Sequence, residues 1–425
     1  MRAMRNLVTV WLGFVFLFAG SVLAQVDEST LAQVQRERAP LIDTMHELVS
    51  IESGSRDFDG LSRIAEVIAG RLRMLGGDVD LVEPTDIYHM QDTPAQIGRS
   101  VVAQFRGTGT RRILLLAHMD TVYLKGMLAE QPFRLEGNRA YGLGIADDKH
   151  GIALILHTLS VLRAIGFDDY GLITVLINAD EEVSSAGSRS LITALGREHD
   201  VVFSCESGGD NRVRLRTSGI GAFKLIVRGR AAHAGAAPEQ GRNALYELAH
   251  QIMQTRDLSD PDAGLKMNWT VATGGNTRNV IPAEAEATAD VRVLLVEDYD
   301  RIESEVRRLM RNQLIPDTEI DLVFERRRPP LVSNMASRRL AAHAQEVYRE
   351  LGMELIVDDE VSGGGTDAAF AALETDAPVI EGMGLQTFGA HSNEAEYVNL
   401  ESVEPRLYLL TRMIMDVALD KLRNN

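Results

Sequence analysis

The sequence predicts an α/β protein, a mainly parallel sheet flanked by helices, interrupted by an inserted α+β segment. Three observations carry that expectation. Short aliphatic runs alternate with amphipathic stretches over the first half of the chain, the rhythm of strands separated by helices. Near Thr217 the rhythm changes to half-exposed alternating strands, and it returns after Arg326-Arg327-Arg328-Pro329-Pro330. Several aliphatic runs end in His, Asp or Glu, and sites in open α/β sheets form at the carboxyl ends of strands.

The chain begins with Arg2 and Arg5 ahead of an apolar stretch from Leu7 to Gly20, followed by Val22-Leu23-Ala24. A basic start, a short apolar run and a small-residue exit make a secretory signal peptide, residues 1–24, cleaved after Ala24. The run is shorter than the roughly 20 residues of a membrane span. No later stretch is long and apolar enough, so no stable membrane anchor is expected, and the mature protein is expected in the periplasm or secreted.

Residues 25–216 and 327–425 are expected to form the two parts of a discontinuous catalytic domain, around a lid or dimerisation domain over residues 217–326. In the first part, Leu31, Val34, Leu41, Met45, Leu48 and Val49 recur at near-helical spacing. Ser53-Gly54-Ser55 breaks that helix. Leu61, Ile64, Ala65, Ile68 and Leu72 line one side of a second, which ends at Gly76-Gly77. Ser100 to Phe105 reads as a strand. Ile113-Leu114-Leu115-Leu116 has the composition of a strand covered on both faces. A helix over 151–165, a strand over 172–177, a helix after Ser184 and a strand over 201–204 follow. In the insert, Phe223 to Val227, Trp269 to Thr273, Ala285 to Leu294 and Glu319 to Phe324 read as strands. Asn243 to Thr255 and Tyr299 to Gln313 read as helices. That order is the order of a ferredoxin-like sandwich.

The 425 residues carry a net charge of -17, and loss of residues 1–24, with two arginines and no acids, takes it to -19. Such a surface repels nucleic acid and anionic membranes, so no nucleic-acid partner is expected. An acidic substrate stays open, because a local basic pocket can invert the field. Cys205 is the only cysteine, so no intrachain disulfide forms. Stability must come from packing, bound metal or subunit contacts.

The chemistry sits in five short motifs. The strand from Ile113 presents His118 and then Asp120; an imidazole ligates zinc, and a carboxylate behind it orients the ring. Gly142-Leu143-Gly144-Ile145-Ala146-Asp147-Asp148 brings Asp147 to the start of a helix, favourable for a carboxylate. Asn178-Ala179-Asp180-Glu181-Glu182 follows a strand, as does Cys205-Glu206. Gly389-Ala390-His391 comes late. Two imidazoles with three carboxylates suit two zinc ions, which need a shared ligand, and Asp147 is the natural bridge. Of Glu181 and Glu182, one would bind metal and the other would stay free as a general base. Each motif alone has a plainer reading, as a helix cap or a solvated strand end.

Taken together, HMDTV, GIADDK, INADEE, CESGG, GGGTDAA and FGAHSNEAEYV resemble motifs of the di-zinc exopeptidase family that contains aminoacylase, peptidase T and glutamate carboxypeptidase. The likeness is densest to glutamate carboxypeptidases of carboxypeptidase G type, and it runs from about Leu114 to Val398. It implies a zinc exopeptidase-like catalytic domain with two zinc ions per subunit. Asp147 would bridge them, with His118 and Glu206 on one and Glu182 and His391 on the other. Glu181 matches the catalytic base, and Asp120 the acid that orients His118. His233, in Ala232-His233-Ala234-Gly235, matches a lid histidine contributed across a homodimer interface. Asn279 and Arg292 match groups that meet a substrate carboxylate or the tetrahedral oxyanion. Arg328 stands where glutamate-specific members bind a carboxylate, and Gly365 lies in the substrate-lining loop.

Two departures qualify the likeness. Arg212, in Arg212-Val213-Arg214-Leu215-Arg216, lies where glutamate-specific relatives carry a lysine and a small hydroxyl residue. Arginine keeps the charge but changes reach and geometry, and Arg214 has no assigned role. His150 replaces a glycine usual after the DDK motif and is expected on a helix surface.

The function these readings imply is an exported zinc-dependent carboxypeptidase. Its substrate would be a small acidic peptide or N-acyl amino acid, folate-like, cut at the amide to a C-terminal acidic residue, glutamate first. The alternatives are an N-acyl amino-acid amidohydrolase or dipeptidase of other side-chain specificity, and a non-catalytic binding protein on the same scaffold. The complete ligand and base set argues against the last.

Overall fold

The computed structural model describes residues 26–392 and 396–422. The expected signal peptide lies outside the described residues, as do Asn393, Glu394 and Ala395 of the late motif. Six strands form the first sheet, in the order Asp78–Val82, Ser100–Arg106, Leu172–Asn178, Arg112–His118, Val201–Ser204 and Val379–Ile380. The first two pairings are antiparallel and the other three parallel. Every residue of Leu172–Asn178 is buried, which is why its sequence does not alternate.

Both faces of this sheet are covered. Leu115 and Val175 face a core that includes Leu41, Met45, Ile152, Leu156, Leu410 and Ile414. Leu114, Leu116 and Leu176 face the opposite way, onto Ile192 and Phe370. The helix His150–Ala164 packs between Glu28–Val49 and Val403–Ala418 and is buried almost all round, as its unbroken apolar sequence requires. Glu28–Val49 is capped by Asp27, whose side chain accepts from the Ser29 and Thr30 N–H groups. Phe58–Met74 starts before the first apolar residue of its stripe because Asp57 accepts from the Gly60 N–H.

The second sheet runs Lys266–Gly274, Glu284–Val293, Gly219–Arg228, Glu319–Arg328, antiparallel throughout. That is the ferredoxin-like strand order. Strand Gly219–Arg228 alternates buried and half-buried residues along its length. Its buried set, Phe223, Leu225 and Val227, joins Leu248, Ala287, Val291, Ile302 and Val306 in a separate core. Strand Glu319–Arg328 runs on past the expected end at Phe324 and carries Arg326, Arg327 and Arg328 toward the first sheet.

Arg189 fixes that approach. Its guanidinium donates to the carbonyls of Ser184 at 2.6 Å, Arg327 at 3.0 Å and Arg326 at 3.3 Å. It also stacks 4.3 Å from the Tyr88 ring centroid and 5.0 Å from that of Phe370.

A small antiparallel sheet, Thr387–Phe388, Tyr397–Asn399, Arg139–Tyr141 and Arg134–Glu136, was not legible as strands. It matters because the turn that carries His391 lies between its first two strands. Among the described residues no helix is long and apolar enough to cross a membrane.

Candidate metal centre

The strand register brings the motifs level. His118 pairs with Asn178, and Leu116 with Ser204, so the chain leaving three adjacent strands supplies His118, Glu181 with Glu182, and Glu206 on one edge. Asp147 arrives from the turn before helix His150–Ala164, entered through Gly144 at φ +73, a conformation open to glycine at no cost. Asp147 does not open the helix as expected. It has φ -156 and ψ 92, extended backbone upstream of the first helical turn.

The Asp147 carboxylate reaches two histidines, one with each oxygen. Oδ1 lies 2.8 Å from His118 Nε2, and Oδ2 lies 3.3 Å from His391 Nε2. His391 Nε2 is also 3.3 Å from Glu182 Oε2. Donor atoms of Asp147, Glu182 and His391 all fall within 4.8 Å of one another. Among the described residues no hydrogen bond or ion pair joins Glu206 to this triad, and its carboxyl feels the charges of Glu181, Asp147 and His118. Its Oε1 is 3.3 Å from the Thr366 hydroxyl, which also donates to Glu381 at 2.6 Å.

Asp120 organises both sides of the edge. Its Oδ1 accepts from the Glu181 N–H at 3.0 Å, and its Oδ2 from the Glu182 N–H at 3.1 Å and the Ser55 hydroxyl at 2.8 Å. Its Oδ1 also lies 3.4 Å from His118 Nδ1. His118 Nδ1 makes its hydrogen bond to the Asp120 carbonyl at 3.1 Å, so Asp120 holds the ring chiefly with its backbone and the turn beside it with its carboxylate.

Glu181 is buried. Its Oε1 is 2.6 Å from Arg328 Nη1, and the same guanidinium donates to the Glu181 carbonyl. Arg328 Nη1 lies 3.5 Å from Asp367 Oδ1 on its other side. Asp367 is held in turn by the Ser185 hydroxyl and, at 2.8 Å, by Asn178 Nδ2.

The electrostatics of the edge are those of too many acids in too little water. Burial pushes Glu181 up to about 8 against the pull of Arg328. Burial also raises Glu182, and burial with Glu381 beside it raises Glu206 well above the usual range. Burial opposes charge on His118, yet the hydrogen bonds to Asp120 and Asp147 outweigh it and hold the imidazole high. Asp147 and Glu182 raise His391 to about 10. Burial works against ionised Asp147, but His118 and His391 keep its carboxyl below the usual range. Among the described residues Glu182 Oε1 is buried with no hydrogen-bond partner. Oxygen and imidazole donors packed this closely, with one oxygen unserved among the described residues, fit a divalent cation pair, because a cation offsets the cost of burying ionised carboxylates and takes the lone pairs of neutral imidazoles.

The other expected residues fall in three places. Arg292 and Gly365 lie at the seam between the sheets: Arg292 Nη1 donates to the Gly363 carbonyl at 2.9 Å, and a Cβ on Gly365 would stand 2.5 Å from Arg328 Cδ. His233 and Asn279 sit together in an exposed loop pair. His233 bridges Val280, the Asn279 carbonyl accepts from the Ala234 N–H at 3.0 Å, and His233 Nδ1 accepts from the Gly235 and Ala236 N–H groups at 3.2 and 3.0 Å. No contact within this chain joins them to Asp147 among the described residues. Arg212 turns to Asp358, 3.7 Å away. Arg214, on the same strand, donates to the Ser207 carbonyl at 3.0 Å, and its charge acts on Glu381.

His150 is a correction. It is fully buried rather than on a helix surface, with Nδ1 3.1 Å from the Ile145 carbonyl, and burial lowers it to about 3. The helix it starts has no solvent face at that end. Sequence reading also passed over Glu396. Its buried carboxylate accepts from the Gly144 N–H at 3.2 Å and the Ala146 N–H at 2.7 Å, and from the Tyr123 hydroxyl. It ties the strand that follows the His391 turn to the turn that presents Asp147. A lone acid ahead of a tyrosine gives no sign of that partnership.

Comparison with known proteins shows the family and the fold. The family model described as peptidase family M20/M25/M40 matches residues 114–416. Carboxypeptidase G2 from Pseudomonas sp. (strain RS-16) is 41% identical over 406 residues, covering 95% of each chain. Among solved structures, aminopeptidase PepT from Bacillus cereus superposes with a TM-score of 0.71 at 21% identity, over 90% of this chain and 99% of its own. The YXEP protein of Bacillus subtilis, described as a dinuclear metal binding peptidase, gives 0.65 at 16% identity, over 91% and 99%. The two solved structures show the fold.

Proposed function

The chain belongs to the peptidase family M20/M25/M40, and from that membership we propose that it is an exported carboxypeptidase that cuts the amide bond to a C-terminal glutamate in N-acyl or peptidyl, folate-like substrates. It is a zinc metallo-carboxypeptidase with two zinc ions per subunit. The observation that carries the reading is the Asp147 carboxylate shared between His118 and His391, with Glu181 beside it and outside the triad.

His118, Asp147 and Glu206 would hold one zinc, and Asp147, Glu182 and His391 the other. Zinc held there would supply polarisation of the substrate carbonyl and a water whose pKa is brought toward neutrality. Glu181 accepts the proton of the attacking water and returns it to the leaving nitrogen. Asp120 keeps the His118 ring facing Asp147 and fixes the Glu181–Glu182 backbone. Arg328, Arg292 and Asn279 meet the free carboxylates of the substrate, with Gly365 leaving room beside Arg328 and Arg212 contributing positive charge. The second sheet is the lid, and His233 reaches the oxyanion of a partner subunit in a homodimer.

A substrate panel on zinc-loaded protein tests the specificity. N-acyl glutamates should exceed the leucine and alanine analogues by about tenfold or more in kcat/KM. A faster leucine or alanine derivative favours the second reading, an N-acyl amino-acid amidohydrolase or dipeptidase of other specificity. That reading draws on one observation: the Arg328 guanidinium is already engaged by Glu181 and Asp367. Sedimentation checks the lid assignment, since a fully active monomer excludes a trans-acting His233.

A further inference from the structure

We propose that the cavity at the joint between the two sheets is a regulatory site, and that it takes a small uncharged molecule built on a flat ring. Its occupancy rests on the cavity alone; its effect on rate rests on the reading of the second sheet as a lid.

The cavity holds about 460 Å³, inside the roughly 300–1,000 Å³ range of small-ligand sites. Both halves of the molecule build it. Arg189, Ala194 and Phe370 come from helices on the first sheet, and Tyr299 from a helix of the insert. Val296 of the insert and Leu373 of the other half also line it and are 40% and 44% exposed. Apolar side chains from two domains, gathered in one concavity where the domains meet, make a place for an apolar ligand.

Two of the walls hold the segments that carry Glu181 and its partner. Arg189 donates to the carbonyl of Ser184, two residues beyond Glu182. The Tyr299 hydroxyl donates to the carbonyl of Arg328, the residue paired with Glu181. Among the described residues no expected zinc ligand lines the cavity. A molecule there therefore acts on Glu181 through these contacts and leaves the cleft open to substrate. The distance between the walls changes whenever one domain turns on the other, so a molecule that fits this distance favours this angle.

The charges around the cavity are already matched. Arg326 donates to Asp300 at 2.6 Å and to Glu303 at 3.1 Å, and Arg197 lies 3.3 Å from Glu374. Arg189 serves the Ser184 and Arg327 carbonyls and is stacked on the rings of Tyr88 and Phe370. An anion would have to displace one of these partners; a neutral ring displaces none. The Thr193 hydroxyl donates to the Phe370 carbonyl at 3.1 Å, which leaves its lone pairs free to accept. A flat ring with one N–H donor meets these conditions, and indole is the test molecule.

Calorimetry of indole into the zinc-loaded enzyme should give a Kd of about 1 mM or tighter. Indole should lower kcat on any substrate the enzyme cleaves while KM moves by less than about twofold. Ala194→Trp, which fills the cavity, and Val296→Asp, which puts a charge in its wall, should each weaken binding by about tenfold or more. The indole concentration needed to inhibit should rise by the same factor. Indole-3-acetate, the same ring with a carboxylate, should bind about tenfold more weakly than indole. The proposal is overturned by inhibition that substrate relieves, by bound indole that leaves kcat unchanged, or by indole-3-acetate binding as tightly as indole. It is equally overturned by affinity within about twofold of wild type in either folded variant, or by no binding up to about 5 mM.

Discussion

Arg328 Nη1 and Glu181 Oε1 lie 2.6 Å apart, as an ion pair without hydrogen-bond alignment, and both side chains are nearly sealed from water. The pair joins the last strand of the second sheet to the residue proposed to move the proton. Asp367 sits on the other side of the same guanidinium, so a single cation balances two buried acids.

Removing that cation should be costly. Arg328→Met leaves Glu181 and Asp367 buried without a counter-charge, and breaking a buried pair from one side costs about 3–5 kcal/mol. Urea unfolding of the metal-free protein measures it. A loss below about 1 kcal/mol would show that neither acid depends on the arginine.

Glu181→Gln keeps the shape of the side chain and removes its basicity. Turnover should fall by about 10²- to 10⁴-fold, the range of a positioned general base, while bound zinc stays at the wild-type level. Kinetics paired with metal analysis reads both, and a zinc-replete variant with wild-type turnover would remove Glu181 from the role.

Stability of the chelated protein should fall between about pH 5 and 8. Burial raises Glu181 to about 8, Glu396 to about 7 and Asp180 to about 6. A carboxyl with a folded pKa above its unfolded one favours the folded state at low pH, and the advantage is lost as pH climbs through the folded value. His118 and His391, also raised, act in the same direction, while His150 and Lys149, lowered by burial, oppose it at the two ends of the window and are outnumbered. Asp147, held low by its histidines, acts only below this window. Zinc needs its donors deprotonated, so the gain in Tm on adding zinc should grow over the same range. Calorimetry with and without chelator checks both slopes, and an apo Tm that rises with pH contradicts them.

Glu396→Gln should weaken zinc binding by about 10- to 100-fold, the usual effect of losing a group that orients a ligand. Glutamine offers one acceptor oxygen where the carboxylate offers two, and it turns a donor toward the Gly144 or Ala146 N–H. Competition against a fluorescent chelator gives the affinity. Tyr123→Phe, which keeps both backbone bonds, should weaken binding less.

Much of this site was legible because its parts end strands. The run before His118 and the run before Glu181 are unbroken aliphatics, and their boundaries fall where the polar residues begin. Asp120 was legible as the partner of His118 but not as the acceptor for two N–H groups of the neighbouring strand's exit, since that needs the register between strands. The setting of Arg328 was hidden for a similar reason: an arginine in a run of three reads as surface charge until the pairing of Glu319–Arg328 with Gly219–Arg228 brings it to the seam. His150 was misjudged because a helix pressed on two sides by other helices has no exposed stripe for a polar residue to mark.

Arg189 grips the Ser184 carbonyl, just beyond Glu181 and Glu182, and with the same planar group the carbonyls of Arg326 and Arg327, just ahead of Arg328. A tilt of the second sheet about its attachment would therefore be levered straight into the segment that carries Glu181. On the proposed reading of that sheet as a lid, shutting the cleft and aiming the proton acceptor would be one stroke, coupled through a side chain outside the proposed ligand set.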